Sequence, residues 1–249
     1  MKYYDSHCHI LINNENIGTT LKRCTNSKIQ IISIGYNIET SRQLSKIGQP
    51  HTVGIHPAYA MELENLEDLE GLINCKTLAI GETGLDALKL SVVPLKTQTE
   101  KFIMQIELAK KYNLPLIIHC RDLNPIMLEI VKKYSKLSGI WHCFNGSYQD
   151  FLKLPKNIFI GINSRVFRRK SGAVIDAILK IPIARVLIQT DWPYVRVGRR
   201  PYRYHQQGLK DTYQAYSKLK NIKIEKLCDI IQKNFLKLFK NYYRIRSSM

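Results

Sequence analysis

The chain has 249 residues, a length that suits one large α/β domain, and a hydrophobic fraction of 45%, enough for a sizeable core. Lys and Arg (38) outnumber Asp and Glu (20), and the resulting net charge of +18 points to a polyanionic partner such as nucleic acid. No apolar run approaches the ~20 residues of a membrane span, no charged-then-apolar leader opens the chain, and the six cysteines show no C-x-x-C spacing. A cytoplasmic protein with reduced thiols and no membrane contact is the expectation.

The opening residues Tyr3 and Tyr4 begin a strand that runs to Asp5-Ser-His-Cys-His9. Side chains alternate across a strand, so His7 and His9 share one face, with Asp5 two residues further back, while Ser6 and Cys8 point away. A polar stretch and a helical pattern through Leu21 and Cys24 lead to a second strand, Ile29–Gly35, apolar on both faces as buried parallel strands are. A short helix spans Ser41–Ile47, a third strand Thr52–His56, an amphipathic helix Leu63–Ile73 and a fourth strand Thr77–Glu82. The helix Leu95–Tyr112 stops at Asn113 before Pro115, and strand five is Leu116–His119. A helix over Pro125–Tyr134, strand six at Gly139–His142, a helix near Tyr148–Leu154 and strand seven at Asn157–Gly161 follow. The helix Ala173–Leu179, strand eight at Val186–Asp191 and two helices, Tyr204–Leu219 and Ile224–Tyr242, complete the pattern.

Eight strands alternating with helices, with no linker between them, predict a single (β/α)8 barrel over residues 1–249, with a basic tail from about 241. An open doubly wound sheet is the alternative. The barrel is preferred because strands one, four, five, six and eight end in metal-capable side chains that only closure brings together. Those side chains are His7, His9, Glu82, His119, His142 and Asp191. Four imidazoles and two carboxylates exceed what one tetrahedral ion takes, which implies two metals with Glu82 bridging them. Mixed nitrogen and oxygen donors suit zinc, manganese or magnesium. Each residue also has an ordinary explanation: His142 as a core histidine, His119 as a strand end, Glu82 and Asp191 as turn residues.

The pieces Asp5-Ser-His-Cys-His9, Gly54-Ile-His-Pro57, Gly81-Glu-Thr-Gly-Leu-Asp86, Pro115-Leu-Ile-Ile-His-Cys-Arg121, His142-Cys-Phe-Asn-Gly146, Thr190-Asp-Trp-Pro193 and Asn234-Phe-Leu-Lys-Leu-Phe239 resemble the TatD family of metal-dependent deoxyribonucleases, from residue 3 to about 240. The resemblance implies a TIM-type barrel with two or three divalent ions that hydrolyses DNA phosphodiesters, often from 3′ to 5′. It places the family's metal ligands on the same six residues, and His56 and Arg121 near the substrate. Gln189 stands where the family usually has Glu and Asn145 where Ser is common. The family's Asn-x-Pro is replaced by Gly198-Arg-Arg-Pro-Tyr-Arg-Tyr204, and these departures bear on substrate choice.

In the mechanism that follows, Asp191 or Glu82 orients the attacking water and accepts its proton. Arg121 meets a phosphate oxygen through its planar fork, and His56 holds the phosphate or donates to the leaving oxygen. Arginines gather in two segments that leave the same rim: Arg165, Arg168 and Arg169, then Arg196, Arg199, Arg200 and Arg203. With Tyr194, Tyr202 and Tyr204 interleaved, they suit single-stranded DNA, or RNA, as the bound strand. A solvated basic loop is the plainer reading. Two other functions share the barrel: an amidase, lactonase or deacylase acting on a small substrate or on aminoacyl-tRNA, and a non-catalytic nucleic-acid-binding module.

Overall fold

The computed structural model describes residues 1–11, 17–167, 172–197, 200–201 and 205–242. Eight parallel strands form one sheet in sequence order: β1 (Tyr3–Cys8), β2 (Ile29–Ser33), β3 (His51–Val53), β4 (Thr77–Asp86), β5 (Leu116–Arg121), β6 (Ser138–Trp141), β7 (Asn157–Ile162) and β8 (Val186–Ile188). Residues following β8 close the ring onto β1: Asp191 N donates to His7 O at 2.9 Å and His9 N to Trp192 O at 2.8 Å. The predicted barrel is therefore the fold, and the open sheet is excluded.

Helices α1 (Ile17–Asn26), α2 (Ile38–Ile47), α3 (Leu66–Glu70), α4 (Leu95–Lys111), α5 (Asn124–Lys132), α6 (Tyr148–Lys153), α7 (Ser164–Phe167), α8 (Ala173–Lys180), α9 (His205–Lys220) and α10 (Ile224–Leu238) follow the strands. None of the described helices is long and apolar enough to cross a membrane. Strand residues such as Ile32, Ile80, Ile117, Ile140, Ile160 and Leu187 are fully buried, because the barrel interior covers one face and the helices the other. Helix ends follow local chemistry. Asn37 and Thr40 form a capping box at the start of α2, which satisfies amides that have no partner within the helix.

Two buried glutamines of α4 fix the strand ends that carry the site. Gln98 accepts from Asp86 N (2.8 Å) and donates to Asp86 O (3.2 Å), and Gln105 does the same for Ile55 (2.8 and 3.1 Å). Each carboxamide stands in for a missing strand neighbour and pairs both the N–H and the C=O of its residue. On the other side of the barrel, Asn234 of α10 donates to Ile183 O and Val186 O, and Tyr213 of α9 brackets the Tyr4 peptide.

Several predicted boundaries shift. Strand four continues past Glu82 to Asp86, since Gly84 (φ +146°) lies where any Cβ would strike His119 O at 1.9 Å; its glycine permits a close approach to β5 rather than ending the strand. The amphipathic run Leu63–Ile73 is helical only over Leu66–Glu70, behind a 3-10 turn at Pro57–Glu62. His142 and Asp191 stand beyond β6 and β8: strand six lies one residue earlier than predicted, at Ser138–Trp141, and strand eight stops at Ile188 rather than Asp191. Asp5 does not share the facing of His7 and His9, because the β1–β2 register shifts between Asp5 and Cys8. Its carboxylate groups instead with Cys8 and His205. The basic tail from 243 onward, with Arg168, Arg169, Arg199, Tyr202, Arg203 and Tyr204, lies outside the described residues. Arg200 falls in a two-residue strand, Arg200–Pro201, paired with Arg196–Val197.

Candidate metal centre

The C-terminal rim of the barrel holds an open cavity of about 860 Å³, lined by His9, His56, Glu82, His119, His142 and Asp191. His7 sits beneath it, fully buried. All six side chains predicted as ligands converge here, around the two oxygens of Glu82.

Glu82 Oε2 faces His7 Nε2 and His9 Nε2, each at 3.4 Å, and Asp191 Oδ1 lies 3.5 and 3.4 Å from the same nitrogens. The two nitrogens are 3.1 Å apart. Zinc–nitrogen and zinc–oxygen bonds of about 2.0–2.1 Å at tetrahedral angles set donor separations of about 3.3–3.4 Å, so this cage has the edge lengths of a first-row metal site. Glu82 Oε1 faces a second set, His119 Nδ1 and His142 Nε2, each at 2.8 Å, with those nitrogens 3.0 Å apart. Edges near 3.0 Å match right-angled donors at the same bond length. The donor chemistry and the edges of both sets fit divalent metal binding, and the His7 and His142 rings, one from each set, stack at 4.1 Å.

Charge follows the geometry. Burial alone would raise Glu82, yet His142, His7 and His119 together hold its carboxyl well below the usual range. Asp191 is likewise held at about 2, its burial outweighed by His9, His7 and His142. His7 is pushed down to about 4 by burial and by His142. His9 and His119 rise to about 9, because Asp191 and Glu82 for the first, and Asp86 and Glu82 for the second, outweigh burial. The rim thus carries committed anions that a cation or a proton must balance.

Outer contacts orient these groups. Asp86 Oδ2 sits 3.3 Å from His119 Nε2 and thereby turns Nδ1 towards Glu82. Asp191 (φ +54°) and Cys143 (φ +47°) adopt left-handed backbone, costly for residues with a Cβ, and the Cys143 thiol donates to Asp191 Oδ2 at 3.3 Å. Asn163 and Gln189 direct amide groups at the Cys143 sulfur, at 2.8 and 3.2 Å. Deeper, Asp5 accepts from His205 Nε2 (2.5 Å), Thr190 Oγ1 (2.6 Å), Thr190 N (3.0 Å) and His7 N (3.1 Å), joining α9 to both β1 and the Asp191 segment.

Of the residues expected to meet substrate, His56, Arg121 and Arg165 line the cavity. His56 Nδ1 accepts from Ala58 N at 3.0 Å, and burial together with His119 lowers its pKa to about 3. The ring is therefore neutral with its proton on Nε2, which lies 3.8 Å from Glu82 Oε1. Arg168, Arg199 and Tyr202 are outside the described residues, and Arg200 is described as backbone. Sequence reasoning gave no role to Asp86, although Glu82, Gly84 and Asp86 share one strand face, a period-two signal. It missed His205 altogether, since only the packing of α9 brings that residue to Asp5.

Comparison with known proteins gives the family. The family model of TatD-related DNases matches residues 4–240. A TATDN1 homolog from Vairimorpha ceranae is 27% identical, with 94% of each chain covered. The metal-dependent hydrolase YabD of Bacillus subtilis is 29% identical over 95% of this chain and 98% of its own. Among solved structures, the TatD homolog YJJV of Escherichia coli superposes with a TM-score of 0.81 at 22% identity, covering 96% of this chain and 98% of that one, a likeness of fold. With the family model matching nearly the whole chain, this protein belongs to the TatD-related DNases, metal-dependent hydrolases on an eight-stranded α/β barrel.

Proposed function

We propose that the chain is a phosphodiester hydrolase that cuts single-stranded DNA from the 3′ end, using His7, His9, Glu82, His119, His142 and Asp191 to hold divalent ions. The observation that carries this reading is the division of Glu82, whose two oxygens face separate donor sets with metal-site edge lengths. Bound divalent ions supply Lewis-acid polarisation of the phosphate and a water acidified towards neutrality.

The chain's own residues supply the rest. Asp191, held ionised and reachable from the cavity, accepts the proton of the attacking water, and Glu82 keeps the two donor sets in fixed relation. His56 offers a neutral Nε2–H to a non-bridging phosphate oxygen. Arg121 and Arg165, both exposed at the cavity wall, balance the phosphate charge, Arg121 through a bidentate fork. The net charge of +18 favours encounter with a polyanion.

The test is incubation of the purified protein with end-labelled single- and double-stranded DNA and RNA under Mg²⁺, Mn²⁺ or Zn²⁺, with a chelator control. Progressive 3′ shortening of single-stranded DNA that stops on chelation is expected. No shortening with any ion, alongside turnover of a small amide or lactone, would overturn the proposal.

A further inference from the structure

The rim of the barrel is divided by side-chain chemistry. In strand order, the segments after β8, β1, β2 and β3 are contiguous, and they present Tyr194, His9, Tyr36 and Tyr59 to the cavity. The segments after β4, β5 and β7 present Lys89, Arg121 and Arg165, with Asp122 the acid beside Arg121. The aromatic arc is one connected group. Tyr194 and Tyr36 stand edge-on to His9 at 5.1 and 5.5 Å, and Tyr36 lies 5.5 Å from Tyr59. Burial pushes the Tyr194 phenol above its usual range, and Tyr36 and Tyr59 add to the shift.

Packing alone does not account for this group. Tyr194 is 56% exposed, and Tyr36 and Tyr59 are only half-buried, although each is large and apolar enough to sit in the core. Exposed rings beside a polar site, opposite a cationic wall, match the two faces of a nucleotide: a flat π-surface at one end and an anion at the other.

We infer that Tyr36, Tyr59 and Tyr194 form a nucleobase-binding subsite that takes one unpaired base, while the phosphates beside it face Lys89, Arg121 and Arg165. This rests on the nucleic-acid reading above and deepens it. A base inside a duplex is stacked on both faces and cannot reach the arc, so the subsite selects single strands or frayed ends. Tyrosine edges and faces accept any base, which makes the selection one of strandedness rather than sequence.

The experiment measures binding of single strands with cutting-resistant phosphorothioate links, metal present, by fluorescence anisotropy. One strand is intact, and the others each lack the base at one of the last few 3′ positions. For the unaltered protein, one such position weakens binding by about tenfold. Tyr194→Ala and Tyr36→Ala each lose about the same factor on the intact strand, yet nothing further on the strand lacking that base. Tyr194→Phe binds like the unaltered protein, and metal content, measured alongside, stays constant in all variants. Equal binding of intact and base-lacking strands, or losses that multiply on the base-lacking strand, overturns the subsite and leaves the nucleic-acid reading standing. Failure of the unaltered protein to bind any strand overturns both.

Discussion

His205→Ala is the most informative change away from the cavity. His205 Nε2 donates to Asp5 Oδ2 at 2.5 Å, with both side chains almost wholly buried. Removing one partner of a buried ion pair costs about 3–5 kcal/mol, because the other charge stays buried. Asp5 keeps three donors, Thr190 Oγ1, Thr190 N and His7 N, so the loss falls near the lower end, about 3 kcal/mol. For a chain of this size that corresponds to about 6–12 °C in Tm.

The pH dependence has a definite sign. Burial would lower the pKa of His205, but Asp5, Cys24 and Cys8 raise it well above its ordinary value. A raised folded value means the stabilisation is complete below an unfolded pKa of about 6.5 and fades as pH rises through the folded one. Urea titrations at several pH values, followed by circular dichroism, therefore show a gap between the two proteins that is widest in mild acid and narrows in alkali. His205→Gln, which keeps a donor without the charge, recovers part of the stability and none of the pH dependence. A loss under about 1 kcal/mol, or a gap independent of pH, would refute this reasoning.

Other consequences follow from the cavity. Asp191→Asn lowers kcat by about 10²–10⁴-fold while circular dichroism still shows a folded barrel, as single-turnover cleavage of labelled strands measures. In the metal-free chain His9 and His119 hold protons up to about pH 9, so metal binding at neutral pH releases about two protons and tightens as pH rises towards 9. Calorimetry in buffers of different ionisation enthalpy detects this. Arg121→Ala weakens binding of all single strands alike and reduces the salt slope of log Kd by about one, measured by anisotropy between low and physiological salt.

The barrel was legible because buried parallel strands leave a plain mark, short apolar runs such as Ile29–Ser33 set between helical spacings. Side chains at strand ends were legible for the same reason, as His119 and Glu82 each close or interrupt an apolar run. Less visible was anything that depends on strands touching. Gly84 reads as a break in sequence, yet it is the place where β4 and β5 backbones come too close for a Cβ. The facing of Asp5 towards His205 goes with a shift in the β1–β2 register between Asp5 and Cys8, which only strand pairing reveals. Gln98 and Gln105 read as polar positions on a helix, and only the folded chain shows them pairing with the peptides of Asp86 and Ile55.

The most direct measurement is the metal content of the purified chain by plasma mass spectrometry, taken for the unaltered protein and for Glu82→Gln. Bridging by Glu82 predicts at least two tightly held divalent ions per unaltered chain, and loss of one or more when a bridging oxygen becomes an amide nitrogen. An unaltered chain that holds no divalent ion, or a Glu82→Gln chain that holds as many, contradicts the account.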